Sequence, residues 1–181
     1  MPAIETSALT IGDVSSSGKG ARTCPILPAT LWSPGELQVL WQPKAYDGSD
    51  ANRVSISFQP THAAERELLA LEAWVLATVT ADKRFFQDVT PAQIRERFVS
   101  CLKVSDKGLR SIRAKMNFTG RGAVRCWDQD RSPCPQPQDW PSCSVTPRFS
   151  IKGLWMMSRD WGLLIELTDA LVTEYSAECP F

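Results

Sequence analysis

Between Lys103 and Arg125 the chain carries seven basic residues, Lys103, Lys107, Arg110, Arg113, Lys115, Arg121 and Arg125, against a single acid, Asp106. A cluster of this kind is suited to binding anions spaced along a polymer. Trp127 adds a second element, because in an extended segment it shares a face with Arg125. Cations that track a phosphate backbone, with aromatics that stack on bases, are what single-stranded nucleic acid requires. The residues read as this site are Arg110, Arg113, Lys115, Arg121, Arg125 and Trp127, with Arg148 and Lys152 as a second cationic edge. The plainer alternative is a solvated strand face with Trp127 packed beneath the loop that follows.

Beyond Arg159 the balance reverses: Asp160, Glu166, Asp169, Glu174 and Glu178 follow, with no basic residue. Twenty basic and twenty acidic residues cancel over the 181 positions. The neutral total therefore conceals a dipolar chain and excludes no partner by itself.

Other chemistries find little support. The only histidine, His62, would have to serve any Ser/His/Asp or Cys/His constellation. It falls in the first turn of an expected helix beside Glu65, where surface exposure is the ordinary explanation. No GxxxxGK[ST], GxGxxG or HExxH motif occurs. The six cysteines are scattered and read as reduced thiols. Cys126, Cys134 and Cys143 bracket a Pro-rich loop, but with seven and eight residues between them they match no zinc knuckle, and three donors do not close a structural site. The expectation is no metal, no cofactor and no enzymatic activity. An enzyme using Cys101 or His62 is a rival that would require one of them to open into a cleft with a perturbed pKa.

The elements that must position these residues are mostly strands. Arg148 to Val172 reads as a β-hairpin, with Phe149, Ile151, Trp155 and Met157 alternating in the first arm, and Leu163, Ile165 and Leu167 in the second. This parity predicts Trp155 in the core. Trp161, at the turn, divides between loop packing and ligand stacking. Residues 36–42 and 53–59 read as another hairpin. Thr61 caps a helix whose apolar stripe runs through Leu68, Leu71, Val75 and Val79. Thr90 and Pro91 open a second helix, expected to reach residue 104. Arg110 to Phe118 and Ala123 to Gln129 read as adjacent strands joined by the turn at 119–122, before a Pro-rich loop over 128–146. Composition and spacing thus imply a β-dominated α+β domain with a basic face over residues 31–173. A flexible arm over 1–30 precedes it and an acidic tail over 174–181 follows. No apolar run approaches about 18 residues and the start lacks signal-peptide character, which predicts a soluble, intracellular protein with no membrane partner.

The final residues carry a resemblance. Pro180-Phe181 behind Glu174 and Glu178 resembles the acidic tail tip of bacterial-type single-stranded DNA-binding proteins, which ends in Pro-Phe and recruits replication partners. The segment from Phe149 to Val172, with its Gly-Leu-Trp step, short turn and Gly-Leu strand before Thr-Asp, is similar to the closing hairpin of single-stranded DNA-binding proteins of large DNA viruses and related mobile elements. The resemblance covers roughly the last forty residues. Cys179 departs from it, standing where the bacterial tip has an apolar residue, and so does the absence of a long linker. It implies an OB-like antiparallel barrel with two inserted helices that binds single-stranded DNA, tolerantly of sequence, in DNA replication, recombination or repair. It also implies that Glu174, Glu178, Pro180 and Phe181 contact replication or recombination proteins. The rival is a structural, assembly or adaptor protein, for example viral, using the Pro-rich loop and the tail. Oligomeric state is left open, a homo-oligomer included.

Overall fold

The computed structural model describes residues 4–16, 20–44 and 52–174. Its elements are β1 (Thr10–Ile11), β2 (Ser15–Ser16), β3 (Arg22–Trp32), β4 (Leu37–Val39), β5 (Arg53–Gln59), α1 (His62–Ala81), α2 (Pro91–Glu96), β6 (Phe98–Val99), β7 (Leu102–Val104), β8 (Arg110–Asn117), β9 (Arg125–Trp127), β10 (Pro133–Cys134), β11 (Cys143–Met156) and β12 (Trp161–Glu174).

Five strands close on one another. β11 pairs with β4, β4 with β5, and β5 with β8, all antiparallel; β8 meets β12 in parallel, and β12 returns antiparallel to β11. Closure removes the free edges that an open sheet of these strands would present. This is an OB-like α+β fold: a closed five-stranded barrel with two helices inserted between β5 and β8. Shorter strands extend it. β3 pairs with the distal half of β11, β7 with β8, and β6 and β9 lie parallel to opposite ends of β12.

Alternation fills the interior. Val54, Ile56 and Phe58 of β5, Ile112, Ala114 and Met116 of β8, and Leu163, Ile165 and Leu167 of β12 are all buried. The α1 stripe of Leu68, Leu71, Val75 and Val79 joins the same core, each side chain contributing roughly 2 kcal/mol by leaving water. Thr61 caps α1 by accepting a hydrogen bond from the Ala64 amide at 3.2 Å. Thr90 and Gln93 form a reciprocal capping box on α2. Among the described residues no helix is long and apolar enough to cross a membrane.

Five expectations are corrected. Residues 22–30, assigned to the flexible arm, belong to β3, because the strand's alternate apolar residues Cys24, Ile26 and Trp32 find buried positions beside its neighbours. The second helix stops at Glu96, where Phe98 and Leu102 gain sheet partners in β12 and β8. The strands around 119–122 are not a hairpin: β9 lies beside β12, and only a bridge at Asn117 and Ala123 links the two segments. The Pro-rich loop is interrupted by β10 and a short 3-10 turn at Trp140–Ser142.

The fifth correction concerns Trp155. β11 opposes Ile151 to Ile165 but Gly153 to Leu164, so two steps on β11 match one on β12 and Lys152 is the extra residue of a bulge. Parity inverts there. Leu154 and Met156 become the buried residues, Trp155 turns to the outer face, and Met157 is 58% exposed. Gly153 makes the bulge sterically feasible, with φ at 142° and the Cys24 carbonyl pressed where a Cβ would stand. Trp161, by contrast, is wholly buried, and its indole N–H donates to the Ile94 carbonyl at 2.8 Å.

Candidate nucleic-acid interface

The inward alternation of β5 and β8 fixes what faces outward. Ser55 and Ser57 stand opposite Lys115 and Arg113 across the ladder, and Lys115 Nζ donates to Ser55 Oγ at 3.0 Å. Pairing of β7 with β8 places Lys103 opposite Ser111 on the same flank. The chain leaving β4 is tied down by the Leu40 amide, which donates to the Ser57 carbonyl at 2.9 Å, and by a bridge from Lys44 to Ser55. Between these ties Trp41 stands 52% exposed.

The result is a groove in two connected parts. One, about 540 Å³, is lined by Trp41, Lys44, Lys103, Leu109 and Arg113 among others. The second, about 240 Å³, shares Ser55, Lys103 and Arg113 with the first and continues to Lys115, Leu164 and Trp155. A tryptophan thus stands at each end, with four cations in the groove. Among the described residues no carboxylate lines either part.

Burial, reinforced by repulsion from Arg113 and Arg53, holds the Lys115 ammonium below the usual lysine range. An incoming phosphate would relieve that repulsion. Serine hydroxyls and apolar strand residues between the cations leave room for bases, so the arrangement suits phosphate contact combined with stacking.

Of the residues selected from the sequence, Arg113 and Lys115 lie in the groove. The others lie elsewhere, several with acidic partners. Arg110 pairs with Glu65 of α1 at 2.5 Å, fastening the helix to β8. Arg125 and Trp127 both bind Asp169: the guanidinium at 2.8 Å and the indole N–H at 3.2 Å. A register shift near Thr168 turns Asp169 towards them while Ala170 and Val172 take the buried positions. Burial raises the Asp169 pKa, but bonds from Arg125, Trp127 and Thr168 outweigh it and hold the carboxyl below the usual range. Lys152 and Arg53 meet Glu166 at 3.7 and 3.4 Å, with Asn117 donating to the same carboxylate at 3.4 Å. Arg121 and Arg148 are exposed outside the groove. Glu174 ends β12, whereas Glu178, Pro180 and Phe181 lie outside the described residues.

Trp41, Lys44, Lys103 and Trp155 are the groove residues that sequence reasoning left out of the site. Lys103 belonged to the basic cluster, and Gly153 inside an alternating strand was the available signal for a bulge.

The groups that an enzyme would use are placed differently. Cys101 is buried, donates its thiol to the Leu163 carbonyl at 3.3 Å, and is pushed up to about 12 by burial and by the neighbouring Glu72. It is a protonated packing residue at neutral pH. His62 is exposed at the start of α1. Cys126 and Cys134 are opposed across β9 and β10, and burial, with the other two thiols of the loop and Asp169, pushes Cys126 up to about 12. Among the described residues no group of three or more His, Cys, Asp or Glu side chains could hold a metal ion.

No protein-family model matches the chain, and no curated protein sequence matches it. Solved structures do. A single-stranded DNA-binding protein from bacteriophage Enc34, in complex with single-stranded DNA, superposes with a TM-score of 0.54 over 90% of this chain and 94% of that one at 13% identity. A C-terminal truncation of the Enc34 protein gives a TM-score of 0.53, covering 93% and 96% of the two chains at 13% identity. The resemblance to phage single-stranded DNA-binding protein structures therefore spans most of the chain and concerns its fold.

Proposed function

We propose that this chain is a non-enzymatic single-stranded DNA-binding protein that tolerates many sequences, the strand lying in the groove between Trp41 and Trp155. Phosphates meet Lys44, Lys103, Arg113 and Lys115, while bases stack on the two indoles. The observation that carries this reading is the groove itself, which among the described residues has four cations, two tryptophans and no lining carboxylate. A neighbour of the same fold solved with single-stranded DNA supports it. Arg125, Trp127 and Lys152 serve the fold through their acidic partners, and Arg121 and Arg148 add a peripheral cationic field.

The process served is replication, recombination or repair of DNA, in a soluble intracellular setting. Glu174, Glu178, Pro180 and Phe181 are proposed to contact a protein partner, on the resemblance of that segment to the acidic Pro-Phe tip. An aromatic ring can fill an apolar pocket while flanking carboxylates meet cations.

Anisotropy titration of labelled oligo-dT and of a duplex of equal length, at several salt concentrations, tests the class. Preference for the single strand is expected, with log affinity falling by about 0.7 per phosphate contacted for each tenfold rise in salt. No binding at low salt would overturn the reading in favour of an assembly protein.

A further inference from the structure

A second basic recess lies at the tip of the β11–β12 hairpin. It measures about 430 Å³ and is lined by Arg22, Arg84, Arg97, Phe86, Met157 and Ser158 among others. Its three arginines are not equivalent. Arg84 is occupied, with Asp82 at 2.6 Å, Asp13 at 3.2 Å and the Ile11 carbonyl at 2.7 Å. Neither Arg22 nor Arg97 has a carboxylate within salt-bridge distance among the described residues. The Arg22 guanidinium is instead held over the Phe86 ring, 5.9 Å from its centroid, a contact that orients the cation without neutralising it. The Arg97 backbone is fixed at the tip because its carbonyl accepts the Trp161 amide at 3.1 Å.

This recess adjoins the groove along the chain. Trp155 closes one end of the groove, and Met157 stands two residues on, with the buried Met156 between them. Both side chains therefore leave the same side of the strand, about 7 Å apart by strand geometry. The Met157 amide donates to the Asp160 carbonyl at 2.8 Å, which holds the tip in this shape. On the adjoining segment Arg97 lines the recess and Val99 lines the groove.

We propose that a strand leaving the groove past Trp155 crosses the hairpin tip and places a further nucleotide there, its base against Met157 and its phosphate on Arg22 and Arg97. The site extends the track proposed above and rests on that reading. Its ligand class is the phosphodiester of the same single strand, which two unneutralised guanidinium groups can hold through paired N–H donors.

The test compares oligo-dT of about 4 and about 12 nucleotides, lengths at the low end and within the upper range of single OB-fold site sizes. For R22Q/R97Q, affinity for the long oligomer should fall several-fold and its salt slope by about 1.4, two contacts at 0.7 each. Affinity for the short oligomer should not change. Ser158→Glu, an exposed substitution that removes no contact, should weaken the long oligomer selectively and keeps the test valid if the double variant does not fold. Equal loss at both lengths, or no loss at either, would overturn the extended track while leaving the groove intact. Failure of the unaltered protein to bind either length would overturn the groove, and the extension with it.

Discussion

Trp155 rests against Gly162 with no room for a methyl group between them. A Cβ on Gly162 would stand 3.1 Å from the indole Nε1 and 2.6 Å from the Val99 carbonyl oxygen. The indole at the end of the groove is thus seated on bare backbone of β12, with β6 closing the other side. Gly162→Ala should therefore cost about 1–3 kcal/mol of stability by overpacking and shift Trp155 from its seat. Urea denaturation followed by tryptophan emission measures both effects. An unchanged midpoint with unchanged emission would show that the seat is loose.

The two groove indoles, Trp41 and Trp155, should behave alike in binding and differently from Trp127. Trp41→Ala and Trp155→Ala should each weaken oligo-dT by ~1–3 kcal/mol, the stacking contribution of one base. Trp127→Ala should leave the affinity within about twofold, because that indole is bonded to Asp169 rather than offered to a ligand. Anisotropy with each variant at one fixed salt concentration decides between them, and a loss confined to Trp127→Ala would move the site to β9.

Two buried carboxyls give opposite pH dependences. Glu72 of α1 accepts hydrogen bonds from Ser100 at 2.7 Å and the Cys101 amide at 2.6 Å, but burial outweighs these bonds and the nearby Lys103 and raises its pKa. A carboxyl raised in the fold stabilises it below the unfolded value of about 4.3 and loses that contribution as pH rises through the folded value. Asp169, held low in the fold, stabilises above about 3.9 and loses its contribution as pH falls through the folded value. Relative to Glu72→Gln, the wild type should lose stability from about pH 4 upward; relative to Asp169→Asn, it should lose stability as the medium is acidified below about pH 4. Denaturation midpoints across this range check both signs.

How much of this was legible in the sequence follows from the range over which each signal acts. The α1 stripe and the Thr90-Pro91 cap are local patterns, and the structure realises both. Arg113 and Lys115 were legible because Ile112, Ala114 and Met116 fix the opposite parity of β8. Trp155 was misplaced because one extra residue at Lys152 inverts parity, and alternation alone cannot register a bulge. Trp41, Lys44 and Lys103 reach the groove only through barrel closure, which joins segments about 60 residues apart, as in the pairing of Ser57 with Arg113. Arg125 and Trp127 looked free because Asp169, their partner, lies more than 40 residues further along the chain.

The most direct measurement is the salt dependence of oligo-dT affinity for two triple variants. K103Q/R113Q/K115Q removes three groove cations, and R121Q/R125Q/R148Q removes three cations outside it. The groove triple should weaken binding and flatten the salt slope by about 2, three contacts at about 0.7 each. The outer triple should change the slope by less than about 0.5, since Arg125 is already paired with Asp169. A flattened slope in the outer triple with an unchanged slope in the groove triple would contradict the groove as the binding site.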